Sequence, residues 1–551
     1  MGMGISAHAD TFARDNLPPK EQWPELRFEL PELQYPDRLN CAAELLDKAV
    51  ERGDADRPVI YAAVNGGRSV LTYGQLLALA NQIAQVLRDD LGLVPGNRVL
   101  LRSPNSPMLA ACFFGVWKAG GIVVPTMQLL RAKELRQVID KAKVDFALCD
   151  IRLREDLVSA AHACPDLKRI VHFGGGDGGQ DSLEAMLDAK SAQFSNVETA
   201  ADDVAVIAFT SGTTGLPKAA LHFHRNVLAM CDCWPRSMLK PGPDDIFCGT
   251  PPLAFTYGLG VMLCIPMRFR ASTVLIEKLT PAGLLQTIQD FRCTFSASVP
   301  TFYRQMAPLT EKFDISSLRI AISSGEALAD ATRALFRKAS GIEMIDGLGS
   351  TEMIVTFISH APERVRRGAT GYVIPGYQAA VLDGEGKVCP PNVSGRLAVK
   401  GPSGCLYLAD ERQTQYVQGG WNLTGDVYSM DKDGYFYFQG RTDDMIVSAG
   451  YNISGLEVEA ALLSHEAVAE CGVVGIPDDE RGQLVSAFVI LKPGCAAGEP
   501  LVKALQDFVK SAIAPYKYPR RIEFVTALPR TETGKLQRFK LRGLAPVGAG
   551  A

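Results

Sequence analysis

Short apolar runs alternate with helically spaced apolar positions along the first two thirds of the chain. Asn40–Arg52 carries apolar residues at helical spacing, and Thr72-Tyr-Gly-Gln-Leu76 opens a second helix with Thr72 as its N-cap. Val99–Leu101 predicts a strand, Met108–Lys118 an apolar helix, and Gly121–Val124 a strand stopped at Pro125. The alternation continues through strands at Ala147–Asp150, Arg169–His172, Val204–Phe209, Thr273–Ile276, Ser296–Val299, Ile320–Ser323 and Met344–Ile345. Such alternation predicts mostly parallel sheets covered by helices. Past Tyr377 the period shortens to two, as in Leu397-Ala-Val399 and Tyr435–Phe438, which predicts antiparallel strands. Gly440-Arg-Thr-Asp-Asp444 is a polar joint. Beyond it, helices at Leu456–Leu463 and Leu501–Ile513 and strands at Glu470–Gly475 and Val485–Leu491 suffice for a small α+β domain. The expected fold is α/β: a large N-terminal domain (1–442) of mostly parallel sheets with helices and an antiparallel subdomain, followed by a small α+β C-terminal domain (443–551).

Composition narrows the class. A chain of 551 residues makes about three or four domain-sized units, and 47% hydrophobic with 21% charged residues is ordinary for a soluble globular protein. The net charge of −4 gives no electrostatic footprint for nucleic acid. Thirteen scattered cysteines, an odd number, point to reduced thiols and a cytoplasmic setting. Cys231-x-Cys233 has no second pair at zinc-site spacing. The apolar stretch Leu109–Pro125 is broken by Lys118 and by glycines, so no membrane span is expected. Met1–Ser6 fits a myristoylation pattern short enough to arise by chance.

The chemistry concentrates in Thr210-Ser211-Gly212-Thr213-Thr214-Gly215, which ends at Leu216-Pro217-Lys218. Small residues let backbone N–H groups approach an anion, hydroxyls add donors, and Lys218 adds a positive charge. A flexible linker is the ordinary meaning of such composition. A linker, however, needs neither the buried strand before it nor the stiff ending after it. The loop is not a Walker A sequence, because Pro217 precedes the lysine, and no dinucleotide fingerprint follows a strand. Gly534-Lys535 fails the Walker test as well, since Leu536 follows.

Four further segments carry candidate groups. Asp346-Gly-Leu-Gly-Ser-Thr-Glu352 follows a strand, and Glu352 suits Mg²⁺, a hard cation that takes one carboxylate plus phosphate oxygens. Taken alone, a solvated loop glutamate is the simpler reading. Trp421-Asn-Leu-Thr-Gly-Asp426 places a carboxylate, expected on a tight turn, where it can chelate two ribose hydroxyls. Gly440–Asp444 and Pro529-Arg-Thr-Glu-Thr-Gly-Lys535 complete the set.

In this order and spacing the five segments resemble the adenylate-forming superfamily of acyl-CoA synthetases, peptide-synthetase adenylation domains and luciferases. The likeness runs from Thr72 to Arg538 and is nearest to the benzoate and 2-aminobenzoate CoA ligases. It implies that Thr210–Gly215 and Lys218 embrace the ATP β- and γ-phosphates. Gly325, Glu326, Ala327, Asp346 and Gly347 would flank the adenine. Thr351 would touch the α-phosphate, Glu352 would bind Mg²⁺, and Asp426 would bind the ribose with Arg441 nearby. Asp443 would be the hinge of a mobile C-terminal domain, Lys535 would bridge the acyl carboxylate and the α-phosphate, and Ser448, Ala449 and Gly450 would lie by the CoA pantetheine. No protein nucleophile is needed, so the cysteines and His222-Phe-His224 are expected to be bystanders or packing residues.

The resemblance also places Phe255, Thr256, Tyr257, Leu348 and Val355 in the acyl pocket. Phe255 stands where many members of the superfamily have His, and an aromatic there suits a flat ring. Val355 stands where aryl ligases often have His, which removes a polar ring edge and leaves two readings open: a differently substituted or more apolar acid, or a repacked wall around the same acid. The implied reaction is ATP-dependent activation of an aromatic carboxylic acid and its transfer to CoA. A non-aromatic acid, a carrier-protein acceptor and a silent nucleotide-binding homologue are the alternatives. A monomer or homodimer that binds neither nucleic acid nor membrane is expected.

Overall fold

The computed structural model describes residues 5–64, 67–175, 179, 181–210, 217–448, 451–478, 481–530 and 536–544. Within these, strands gather into sheets of fourteen, six and three strands and one two-stranded hairpin. The six-stranded sheet is built from parallel strands Arg169–Phe173, Phe146–Asp150, Arg98–Arg102, Ile122–Thr126 and Val204–Thr210, edged by antiparallel Lys218–Phe223. Three of its central strands are buried along their whole length, as expected of a sheet covered on both faces.

The large sheet has two halves. Its parallel half runs Pro58–Val64, Ser272–Leu275, Ile246–Gly249, Phe295–Ser298, Ile320–Ser324 and Met344–Gly349. From Thr356–Ser359 onward it turns antiparallel through Gly371–Val373, Tyr435–Arg441, Trp421–Met430, Gly395–Lys400 and Gln378–Leu382. The parallel-to-antiparallel switch predicted past Tyr377 therefore occurs about twenty residues earlier, at the pairing of Gly347 with Ser359. The three-stranded sheet, Val468–Asp478, Gly482–Leu491 and Arg521–Phe524, packs with Gly455–Leu463 and Glu499–Ala512 around a core of its own.

Local sequence explains several boundaries. Tyr73–Gln85 starts at a capping box: Gln75 N–H donates to the Thr72 hydroxyl, and Thr72 N–H donates to the Gln75 side chain. Pro107–Lys118 opens on a Ser106 cap with proline in its first turn, and its apolar length is buried in the main core. No helix among the described residues is long and apolar enough to cross a membrane. Twelve cysteines are buried and none is in a disulfide, while Cys495 is exposed.

Close packing also fixes the segment that carries Phe255. Gly258 lies against Pro252, and a Cβ there would stand 1.9 Å from the Pro252 carbonyl oxygen. Replacing Gly258 with Ala is expected to lower the melting temperature by about 1–3 °C in a thermal melt, because backbone, not a yielding side chain, must shift.

Candidate active site

The two large sheets meet at their carboxyl-terminal strand ends, where open α/β sheets place their ligands. Lys218 begins the edge strand of the six-stranded sheet. Glu352 lies in the turn after Met344–Gly349 of the other. The Lys218 ammonium stands 3.9 Å from Glu352 Oε1, and both side chains are largely shielded, at 10% and 16% exposure. Tyr407 Oη donates to the same Glu352 oxygen at 2.5 Å. Lys218 Nζ donates to Tyr416 Oη at 2.6 Å and sits 4.0 Å from the Tyr416 ring centre. Glu352 is thus no solvated loop carboxylate. The two tyrosines come from the 405–416 segment, which no sequence motif singled out.

His222 is fully buried beside the site. Its Nε2 lies 2.8 Å from the Thr351 carbonyl, and since a carbonyl only accepts, Nε2 carries the proton. Burial pushes the imidazole down to about 4, so it stays neutral. His222 thereby holds the backbone of Thr351. His224 is buried and bonded to the Cys41 backbone N–H, a packing role.

Asp426 is not on a tight turn, as the sequence suggested. It lies inside the ten-residue strand Trp421–Met430, where Gly425 at φ +76° and a register shift between Val427 and Tyr428 bend the strand. Arg441, its partner in register on the next strand, donates to Asp426 Oδ1 at 2.9 Å. Burial raises the Asp426 pKa, Arg441 opposes this, and the Glu352 charge adds to the rise.

Asp346 and Gly347 lie within the strand Met344–Gly349, not after a strand ending at Ile345, and Gly347 pairs with Ser324. Burial pushes the Asp346 carboxyl up to about 7, partly offset by Arg333. Gly325, at φ +88°, turns the chain out of the neighbouring strand, and Glu326 and Ala327 follow. Glu326 accepts from Thr301 Oγ1 at 3.1 Å and lies 3.6 Å from Arg530 of the C-terminal part. Arg530 also meets Glu470 at 2.7 Å and pairs antiparallel with Leu536, so the chain ends that flank residues 531–535 close on each other beside Glu326.

Phe255 precedes the short helix Thr256–Leu259. Tyr257 Oη is buried without a hydrogen-bond partner among the described residues, as are Thr210 Oγ1 and Ser448 Oγ. Leu348 is half-buried against the main core, and Val355 is 2% exposed within it. A Cβ on Gly260 would meet Val355 Cγ2 at 3.4 Å and Met230 Sδ at 3.5 Å, so the surroundings of Val355 are apolar. Ile354, fully buried, takes a left-handed φ of +64°, a costly conformation for a β-branched residue (about 1–2 kcal/mol). A cavity of about 150 Å³ is lined by Pro252 and Ala254 together with Asn105, Gln128, Glu277 and Phe302.

Ser211, Gly212, Thr213, Thr214, Gly215, Ala449, Gly450 and Lys535 lie outside the described residues. The backbone of Asp443 falls in the single turn Thr442–Asp444. Among the described residues no group of three or more His, Cys, Asp or Glu side chains is arranged to hold a metal. One shielded carboxylate, Glu352, beside a lysine fits magnesium carried in with phosphate, which needs a single protein carboxylate.

Residues 46–406 match the AMP-binding enzyme family, and residues 457–535 match the AMP-binding enzyme C-terminal domain. The chain belongs to the family of AMP-binding enzymes. Benzoate–CoA ligase of Thauera aromatica is 34% identical over 93% of this chain and 97% of its own length. A mitochondrial acyl-coenzyme A synthetase of Homo sapiens is 32% identical, covering 92% and 90% of the two chains. The solved anthranilate CoA ligase in complex with anthranoyl-AMP superposes with a TM-score of 0.88 at 32% identity, over 93% of this chain and 98% of its own. The chain is therefore an adenylate-forming acid–thiol ligase of the acyl- or aryl-CoA ligase kind.

Asp346 makes this site pH-sensitive in a defined direction. A carboxyl raised to about 7 keeps its proton in the fold and loses it on unfolding, so stability falls as pH rises from about 4 to 7. Asp346→Asn removes that loss. Its melting temperature is expected to exceed that of the wild type at about pH 8, with the difference vanishing near pH 4. Melting curves across pH check this, and parallel profiles for the two proteins contradict it.

Proposed function

We propose that this ligase activates an aromatic, benzoate-like carboxylic acid with ATP and transfers the acyl group to CoA. The observation that carries the reading is the shielded Lys218–Glu352 pair at the junction of the two sheets, with Asp426–Arg441 alongside. Lys218 and Thr210–Gly215 grip the β- and γ-phosphates. Gly325–Ala327, Asp346 and Gly347 flank the adenine, Asp426 takes the ribose with Arg441 behind it, and Thr351, its backbone held by His222, faces the α-phosphate. Glu352 holds Mg²⁺, which when bound neutralises phosphate charge.

A carboxylate oxygen of the acid attacks the α-phosphorus, pyrophosphate leaves, and an acyl-adenylate forms. Two anions must meet, so positive charge aimed at the crowded phosphorus lowers the barrier, and Lys535 supplies it. The Arg530–Glu326 contact supports this assignment, because it sets Arg530, five positions before Lys535 in the chain, against the adenine wall. The domains divide at 442/443, and rotation about Asp443 withdraws Lys535 and brings Ser448, Ala449 and Gly450 toward the pantetheine. The CoA sulfur then attacks the acyl carbon, and AMP departs.

Phe255, Thr256, Tyr257, Leu348 and Val355 form the acyl wall. An aromatic acid is favoured by the benzoate and anthranilate ligases among the similar proteins. The apolar surroundings of Val355 favour, as a second reading, an acid without a polar substituent at that edge, aromatic or not. The 150 Å³ cavity lined by Pro252 and Ala254, next in sequence to Phe255, is the entry proposed for the acceptor. A cytoplasmic location fits free acid, ATP and CoA as substrates.

The test is AMP and pyrophosphate release across a panel of carboxylic acids, with and without CoA, with products identified by mass. Benzoate-type acids are expected to give thioesters, and an absence of acid-dependent AMP from the whole panel refutes the reading. Lys535→Ala is expected to slow adenylation by about 100-fold or more while leaving transfer from preformed acyl-adenylate much less affected. Ala254→Trp, which narrows the cavity, is expected to raise the KM for CoA without changing acid-dependent pyrophosphate exchange. An unchanged KM for CoA would remove the cavity from the acceptor path.

A further inference from the structure

Lys218 and Glu352 are opposite charges in a shielded place, yet their nearest atoms stay 3.9 Å apart. Attraction between unit charges strengthens as the dielectric falls, so two flexible side chains so placed should close to direct contact. Each charge is instead bonded to a tyrosine hydroxyl. Tyr416 Oη accepts a hydrogen bond from Lys218 Nζ at 2.6 Å, and the ammonium lies over the Tyr416 and Tyr407 rings at 4.0 and 5.3 Å. Tyr407 Oη donates to Glu352 Oε1, the carboxylate oxygen that faces the lysine. The two rings meet edge to face at 5.3 Å and 87°, so each fixes the other.

The tyrosines are held by backbone. Leu221 N–H donates to the Leu406 carbonyl and Leu408 N–H to the Ala219 carbonyl, pairing the Tyr407 segment with the strand that Lys218 begins. Tyr407 N–H donates to Gln413 Oε1 at 2.9 Å, and Gln413 opens the helical turn that Tyr416 ends. A carboxylate can only accept, so in this contact the Tyr407 hydroxyl is the donor.

We propose that Tyr407 and Tyr416 are positioning residues that act as a spacer, keeping Lys218 and Glu352 from closing into a direct ion pair. The ammonium then stays available to the nucleotide phosphates and the carboxylate to a divalent cation. This rests on the reading above that both groups face ATP with its magnesium. Neither tyrosine touches a reacting atom; each works through the charge it holds.

Tyr407→Phe and Tyr416→Phe keep the rings and delete the hydroxyls. MgATP affinity, measured by calorimetry without any acid, is expected to fall about tenfold in each, the scale of one hydrogen bond to a charged group. The half-saturating Mg²⁺ concentration for AMP formation should rise to a similar extent, with the KM values for acid and CoA within about twofold of wild type. The spacer has a further signature: its loss matters only while Glu352 is charged. In a Glu352→Gln background, Tyr416→Phe should change the affinity for metal-free ATP by less than about twofold. Unchanged MgATP affinity in both single variants, or an equal loss in the Glu352→Gln background, overturns the spacer, as does a wild-type protein that binds no MgATP. A wild type that binds MgATP but releases no AMP with any acid refutes the proposed reaction instead, and the binding comparison still decides the spacer.

Discussion

A few backbone hydrogen bonds between residues 405–408 and the strand Lys218–Phe223 join the antiparallel half of the large sheet to the six-stranded sheet. Leu406 and Leu408 pair with Leu221 and Ala219 across nearly two hundred residues of sequence. The strap also ties down the turn that ends at Tyr416, through Gln413, whose amide bonds the Cys405 carbonyl and the Gln22 carbonyl. Without this strap Lys218 would begin an open edge strand, and Glu352 would lose the phenol that donates to it. With it, both charges are backed by aromatic rings, and the strand that bears Asp426 is brought along the same wall, since Asn422 bonds the Cys405 N–H.

The site concentrates negative charge in a place meant for a polyphosphate. Asp346, Asp426 and Glu352 are each largely buried there, and the fold handles them differently. Asp426 is paired with Arg441, Glu352 accepts from a phenol, and Asp346 has burial raise its pKa far enough that it is half protonated near neutrality. Carboxylates left uncompensated in such surroundings would repel the ligand and destabilise the fold. The arrangement instead leaves acceptors for the sugar, base and metal while restraining the total charge.

Much of this was legible in the chain. The Thr72 N-cap and the strand alternation follow from local signals, a cap and a period, and the motifs are what propose Lys218, Glu352 and Asp426 for one site. What escaped notice depends on contacts between distant residues. Tyr407 reaches Glu352 across 55 positions, His222 reaches Thr351 across 129, and Tyr416 reaches Lys218 across 198. Nothing beside Tyr407 or Tyr416 in sequence distinguishes them from core tyrosines. Asp426 was misplaced for a different reason: Gly425 reads as a turn, whereas its positive φ bends a continuous strand.

Ile354 joins the two ends of this chemistry. Its left-handed backbone lies between Glu352 and Val355, and Gly349 lies so close to the Val355 carbonyl that a Cβ there would stand 2.6 Å away. The loop is therefore a single closed unit in which the metal-side carboxylate and the wall residue are rigidly linked. An engineer who wants a different acid cannot treat position 355 as an independent dial. A bulkier or polar side chain there presses on a turn with no slack, and the displacement is transmitted to Glu352. Broadened substrate range and weakened nucleotide handling should arrive together, unless Ile354 is changed in the same step to a residue at ease in that backbone.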